Sequence, residues 1–168
     1  MTANHFMTDA NHGGEGPDRE LLADIEKNGV QLFYDEDQES QSSRAFTIGL
    51  WHMRQRPEIV ALGLPEELAS QVLELVVDDV EDGVVYEADQ KHDGIVHGYP
   101  VWFGKVTREQ VESLLPEIAH AYGTSDVPVL QLVYPDKQGR WPWDADVREG
   151  FRDSQPVLER IAAERGDA

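Results

Sequence analysis

The chain contains 168 residues, of which 33 are acidic and 14 are lysine or arginine, so its formal net charge is −19. This charge makes nucleic acids and anionic membranes unfavourable partners, because both carry negative charge of their own. The absence of cysteine excludes disulfides, thiol nucleophiles and cysteine-ligated metal sites. The negative charge would suit a basic protein partner. High solubility is a simpler consequence of the same charge.

Length and hydropathy predict one domain in the cytoplasm. A domain of this size buries roughly two-thirds of the surface that its unfolded chain exposes. No apolar run approaches the ~20 residues that cross a bilayer, and the N-terminus lacks the basic and apolar regions of a signal peptide. Residues 1–16 show almost no apolar periodicity, so we expect a disordered tail there and a single domain over residues 17–168.

The first ordered part of the chain predicts one helix and three strands. Asp18 is a favoured N-cap and Gly29 stands where a helix-ending glycine belongs, so a helix is expected between them. Residues 51–57 form a predicted connector. β-branched and aromatic residues predict strands at residues 30–34, 44–50 and 58–62.

The helix that begins after Pro65 has the clearest pattern. Proline is favoured at a first helical position, and leucines and valines then recur at helical spacing until Gly83 ends the helix. Residues 66–93 contain ten acids and one base, Lys91. Such a run is usually a solvated face, and it is also where a basic partner would bind.

The C-terminal half is less regular. We expect a short strand at residues 84–86 and a polar loop at residues 87–98. Pro116 is expected to kink or split the helix that a capping box at residues 107–110 begins. Residues 144–153 are predicted to be irregular. Further strands are predicted at residues 99–106 and 128–134, and a terminal helix after residue 156.

This order of elements is not a strict alternation of strands and helices. It therefore predicts an α+β fold with a mixed or mainly antiparallel sheet of five to six strands, on which three to four helices pack.

An unusual turn follows the last predicted strand. Asp136 and Gly139 are typical turn residues, and Arg140 follows directly, with Trp141 and Trp143 after it. The guanidinium and the two indoles could form the wall of a ligand pocket through cation–π contacts. Equally, the indoles could close one end of the core while Asp136 caps its own turn.

Glu58 and His52 are the other candidate site residues. Glu58 begins a strand, and in a cleft with Asp136 it could act as a general acid or base. More simply, it could be a salt-bridged structural carboxylate. No histidine pair has the spacing of a zinc site, so neither a metal nor another cofactor is predicted.

Three stretches of the chain resemble a bacterial family known as domain of unknown function 4262. The resemblance covers roughly residues 28–158 and implies a small soluble bacterial α+β domain without an established activity. Members often carry a histidine where this chain has Arg56. The matching stretches are Phe46-Thr-Ile-Gly-Leu50, Arg56-Pro-Glu-Ile-Val-Ala-Leu-Gly-Leu-Pro65, and Gln131-Leu-Val-Tyr-Pro-Asp136 with Gly139-Arg-Trp-Pro-Trp143 and Gln155-Pro156.

Two functions remain open, and the residues do not decide whether the protein is an enzyme. One is a non-catalytic binding or interaction module for a basic protein or small ligand, with a site where residues 47–50 meet the turn at residues 136–143. The other is a small hydrolase or transferase in which Glu58 and Asp136 act, with His52 as a further candidate, and Arg140 stabilises an anionic group. The oligomeric state is not predicted.

Overall fold

The computed structural model describes residues 6–7, 16–40 and 42–166, which form an α+β fold around one mixed sheet. The predicted fold class is confirmed. The strands are β1 (Phe6–Met7), β2 (Gln31–Asp37), β3 (Ser42–Ile48), β4 (Glu58–Leu62), β5 (Gln90–Val96), β6 (Tyr99–Val106) and β7 (Val129–Val133). The helices are α1 (Arg19–Asn28), α2 (Leu50–Arg54), α3 (Glu66–Glu81), α4 (Arg108–Leu114), α5 (Pro116–Tyr122), α6 (Glu149–Ser154) and α7 (Leu158–Glu164).

The strand order in the sheet is β1-β2-β3-β4-β7-β6-β5. Two antiparallel units, β2-β3-β4 and β7-β6-β5, are joined at the centre by the parallel pair β4–β7. The two-residue β1 pairs in parallel with β2. Most of the predicted disordered tail, residues 1–5 and 8–15, lies outside the described residues.

Helices cover both faces of the sheet. Ile59 and Ala61 of β4 belong to a core cluster with α3, whereas Val60 between them belongs to a second cluster with α1, α4, α5 and α7. Because alternate residues of a strand point to opposite faces, α3 covers one face, and α1, α4, α5 and α7 cover the second. Of the described helices, none combines the length and the apolar character that crossing a bilayer demands.

The structure has more helices than the sequence predicts. The predicted connector at residues 51–57 contains most of α2, and residues 144–153, which are predicted to be irregular, contain all but the last residue of α6. Pro116 does split the predicted helix, and α4 and α5 result. α2 and α6 are only five and six residues long, and such short helices depend on tertiary contacts rather than on an apolar periodicity.

The strand predictions are wrong between residues 84 and 98. Residues 84–86 form no strand, and the expected polar loop contains β5. β5 lies at the edge of the sheet, where polar residues are tolerated because most of its side chains face water. It pairs with β6 through the two-residue connection His97-Gly98, in which Gly98 has φ +82°.

Buried glutamines attach the segment after α6 to the sheet. The side chain of Gln131 donates to the Pro156 carbonyl at 2.8 Å and accepts from the Leu158 N–H at 2.9 Å. The side chain of Gln155 exchanges two hydrogen bonds with the backbone of Tyr134, at 3.0 and 2.9 Å. These bonds give residues 155–158 a fixed position beside β7, although they belong to no strand.

Candidate functional site

The carboxylate of Glu58 is fully buried and accepts five hydrogen bonds. Gly49 has φ +131°, and this conformation turns the chain from β3 into α2 so that the first N–H groups of α2 meet the carboxylate. A side chain at Gly49 would lie 2.9 Å from Ile25 Cγ2, so only glycine fits this turn. The five donors are the N–H groups of Gly49 (2.9 Å), Leu50 (3.1 Å) and Trp51 (3.2 Å) and the hydroxyl groups of Thr47 (2.8 Å) and Tyr122.

The hydrogen bonds around Tyr122 identify Glu58 as an acceptor. The Tyr122 hydroxyl oxygen accepts from the N–H groups of Gly49 and His52, both at 3.2 Å, so its own proton is directed to Glu58. Burial raises the pKa of Glu58 above its ordinary value, and the hydrogen bonds from Tyr122, Gly49, Thr47 and Trp51 oppose that rise. Burial and the neighbouring Glu58 charge also raise the pKa of Tyr122. By accepting these hydrogen bonds, Glu58 on β4 connects its strand to β3, α2 and α5, which is a structural role.

The imidazole of His52 makes a different contact. Its Nε2 lies 2.8 Å from Glu26 Oε2 on α1, at a partly exposed position. The backbone N–H of His52 is the only group through which it contacts the described Glu58 network. Arg56, where family members often carry histidine, is exposed and its N–H donates to the Leu50 carbonyl at 3.3 Å.

Asp136 caps its own turn. Its Oδ1 accepts from the N–H groups of Gln138 at 2.9 Å and Arg140 at 2.8 Å, and its Oδ2 accepts from Arg140 Nε at 3.0 Å. Desolvation acts to raise the pKa of Asp136, but these hydrogen bonds outweigh it, so the pKa lies below its ordinary value. Gly139 completes the turn with φ +80°. Asp136 and Arg140, two of the three members of the predicted carboxylate–arginine site, thus bind each other within a single turn.

Trp102, Trp141 and Trp143 form a tryptophan cluster on the surface beside β6. The rings of Trp141 and Trp143 stack in parallel with centroids 5.1 Å apart, and Trp102 meets Trp143 edge-on at 5.4 Å. Lys91 Nζ lies 5.3 Å from the Trp141 ring, and Arg160 Cζ lies 4.3 Å from the Trp143 ring. All three indoles are partly exposed, so they cover the edge of the core without being enclosed by it.

Sequence reasoning missed Trp102, Lys91 and Arg160 as partners in this cluster. They come from β6, β5 and α7, which are distant from the turn in the chain. One local signal is Gly104, two residues after Trp102 on the same face of β6. A Cβ at Gly104 would lie 2.5 Å from the Trp102 ring, so glycine leaves the space that this indole occupies.

The structure does not bring Glu58 and Asp136 together. In the parallel pair β4–β7, Glu58 lies beside Val129 at the start of both strands. Asp136 is seven residues beyond Val129, which places it roughly 20 Å away past the other end of the strands at ~3.3 Å per residue. Residues 47–50 and the turn at residues 136–143 are expected to meet in one site. In the structure they lie in two separate places, at opposite ends of the β4–β7 pair.

α3 exposes apolar side chains next to acidic ones. Leu68 and Leu75 are 40% and 45% exposed, and the exposed Val84 and Val85 follow the end of the helix. The helix contains six acidic residues and no base. We call Leu68, Leu75 and the acidic side chains around them the α3 face.

Comparison with known proteins identifies one family. The sequence model for the domain of unknown function (DUF4262) matches residues 24–148 of this chain. A search of curated proteins found no match, and a search of solved structures found none. In the described part of the chain, no three His, Asp or Glu side chains are grouped so that they could hold a metal ion.

Replacing Glu58 with glutamine should strongly destabilise the protein. The new NH₂ group would face donors where a carboxylate oxygen now accepts, so we expect unfolding free energy to fall by about 3–5 kcal/mol. Urea denaturation followed by far-UV circular dichroism measures this loss. Glu26→Gln, which changes an exposed carboxylate, should cost less than about 1 kcal/mol. Equal stability of the two variants would contradict the structural role of Glu58.

Replacing Trp143 with alanine should show how much the tryptophan cluster stabilises the fold. The substitution removes ring contacts with Trp102, Trp141 and Arg160, and we expect a loss of about 2 kcal/mol together with a weaker near-UV dichroism signal. Met53→Ala, at an exposed apolar position on α2, is the control and should cost less than about 0.5 kcal/mol. If both variants unfold at the same urea concentration, the cluster does not stabilise the fold.

Proposed function

The chain belongs to the DUF4262 family, whose function is unknown, and we propose that it is a non-catalytic interaction module for a basic partner. In this proposal the α3 face binds an amphipathic segment of another protein, with leucines contacting apolar side chains and acids contacting lysines or arginines. The observation that carries the proposal is the exposure of two leucines on a helix whose charged residues are all acidic.

The spacing of the exposed leucines suits a helical partner. Leu68 and Leu75 are seven residues apart, so they lie on the same side of α3, two turns from each other. The other leucine, Leu73, and all four valines of α3 are buried, including Val72 and Val76. Leu68 and Leu75 lie four residues before and three residues after the buried Val72, so they border the buried face. The apolar stripe of α3 therefore extends beyond the part that this chain covers.

The acidic residues at the end of α3 also favour a cationic partner. Asp78, Glu81 and Asp82 lie at the C-terminal end of the helix, whose last turn contains no base. The helix dipole places negative charge at this end, so each exposed acid costs about 0.3–1 kcal/mol here. A lysine or arginine from a partner would offset this repulsion, and binding would then relieve a cost that the free protein bears.

The partner's chemistry can be tested with a synthetic peptide. The probe is a lysine-rich helical peptide with leucines at seven-residue spacing, and its comparison is a scrambled peptide of the same composition. We expect Leu68→Ser/Leu75→Ser to weaken binding of the helical peptide at least tenfold, or about 1.4 kcal/mol. Fluorescence anisotropy at low and high salt measures the affinity, which should fall as salt screens the charges.

Leu114→Ser is the matched control, because Leu114 is as exposed as Leu75 but lies on α4. It should bind the helical peptide as the unsubstituted protein does. Equal weakening by Leu114→Ser, or equal affinity for the scrambled peptide, would contradict a specific α3 face and would indicate general charge attraction.

Charge removal at the two ends of α3 should have opposite effects on stability. Asp78→Asn/Asp82→Asn should raise the unfolding free energy by about 1 kcal/mol, whereas Glu66→Gln/Glu67→Gln should lower it by a similar amount, because the dipole favours acids only at the first turn. Urea denaturation at low salt measures both. The first pair should also weaken peptide binding. If it stabilises nothing and binding is unchanged, the C-terminal acids have no role in recognition.

A further inference from the structure

A groove on the opposite side of the sheet from α3 has no role in the proposed function. It lies where β2, β3 and β4 approach the junction of α4 with α5 and the segment before α7, and its volume is about 230 Å³. A water molecule occupies roughly 30 Å³, and a dry cavity of about 150 Å³ can hold benzene. The groove therefore has room for an aromatic ring or a branched aliphatic group with a short substituent.

The floor of the groove is apolar. It is formed by side chains that belong to, or lie beside, the second core cluster. Contact with a ligand would remove this apolar surface from water, which favours binding. The apolar lining residues are Val60, Leu62, Leu114, Leu115, Pro156 and Leu158.

Hydrogen bonds hold the groove open. On one wall, Arg44 Nη1 donates to the Leu114 carbonyl and to Glu117 Oε1, both at 2.8 Å. On the other wall, Gln131 and Gln110 bind the backbone of Leu158, at 2.9 and 2.8 Å. Because each wall is attached to the sheet or to a neighbouring helix, the groove cannot close without breaking these bonds.

The charges beside the groove favour a cation. Among the described residues, Arg44 is the only base that lines it, and its Nη2 also bonds to Asp35 at 3.1 Å. Its guanidinium is thus neutralised by two carboxylates, those of Asp35 and Glu117. Asp37 adds a further negative charge, and hydrogen bonds from Ser40 and from the Glu39 N–H lower its pKa, so that it stays ionised at neutral pH.

From this geometry we infer that the groove is a binding site for a small cationic amphiphile. An apolar group of the size of a phenyl or isobutyl group occupies the floor, and an ammonium group attached to it faces Asp35 and Asp37. A neutral analogue keeps the apolar contact and loses the ion pair, whereas an anionic analogue is repelled. This site is independent of the α3 face, so either proposal can fail without the other.

Three related compounds test the inference. 2-Phenylethylamine, 2-phenylethanol and phenylacetate carry the same ring with positive, zero and negative charge. Titration into ¹⁵N-labelled protein should give the largest amide shifts with the amine, centred on Arg44, Leu62 and Leu115, and a Kd at least threefold lower for the amine than for the alcohol. Equal affinities for all three compounds, shifts elsewhere in the chain, or no saturable shifts with the amine would overturn the inference.

Two variants separate the apolar and the charged contributions. Leu114→Trp places a large side chain at the groove and should weaken amine binding at least tenfold, while Met53→Trp, at a similarly exposed apolar residue on α2 outside the groove, should leave it unchanged. Asp37→Asn should reduce the preference for the amine over the alcohol at least threefold. The amide spectrum of each variant shows whether it is folded. Unchanged amine binding in folded Leu114→Trp, or an unchanged preference in folded Asp37→Asn, would contradict the site.

Discussion

The parallel pairing of β4 with β7 determines the layout of the molecule. These strands are about 70 residues apart in the chain, and their four paired positions join an N-terminal antiparallel unit to a C-terminal one. Because both strands lie in the middle of the sheet, helices must cover both of their faces, and Ile59, Val60 and Ala61 are all buried. A parallel pair also places the starts of both strands at one end of the sheet and their ends at the other.

Each end of this pair is closed by polar groups that satisfy one another. At the start, Glu58 accepts hydrogen bonds from five donors around α2. At the far end, Asp136 binds Arg140, and the tryptophan cluster covers the edge of the core beside the turn. The polar groups at both places are thus engaged in contacts within the chain. Two surfaces remain available to a partner or ligand, the α3 face on one side of the sheet and the groove on the other.

The stretches that resemble the family contribute mainly to folding in this chain. Gly49 allows the turn into α2 that surrounds Glu58, Gly139 and Asp136 close the turn after β7, and Gln155 completes the hydrogen bonding of Tyr134. These interactions need particular residues at particular positions, which explains why such stretches are recognisable. The acidic run at residues 66–93 indicated the charge of the α3 face, but no motif indicated its exposed leucines or the groove, because both use ordinary apolar and acidic side chains.

The sequence by itself determined the elements that depend on near neighbours. Asp18 caps α1, the capping box begins α4, and Pro116 separates α4 from α5, because each acts on backbone groups within a few residues. Tertiary structure alone decided the rest. β5 is a strand only because it pairs with β6, and Glu58 is distant from Asp136 only because β4 and β7 run parallel. The groove likewise exists because segments from both halves of the chain meet on one face of the sheet, and no local pattern encodes such distant contacts.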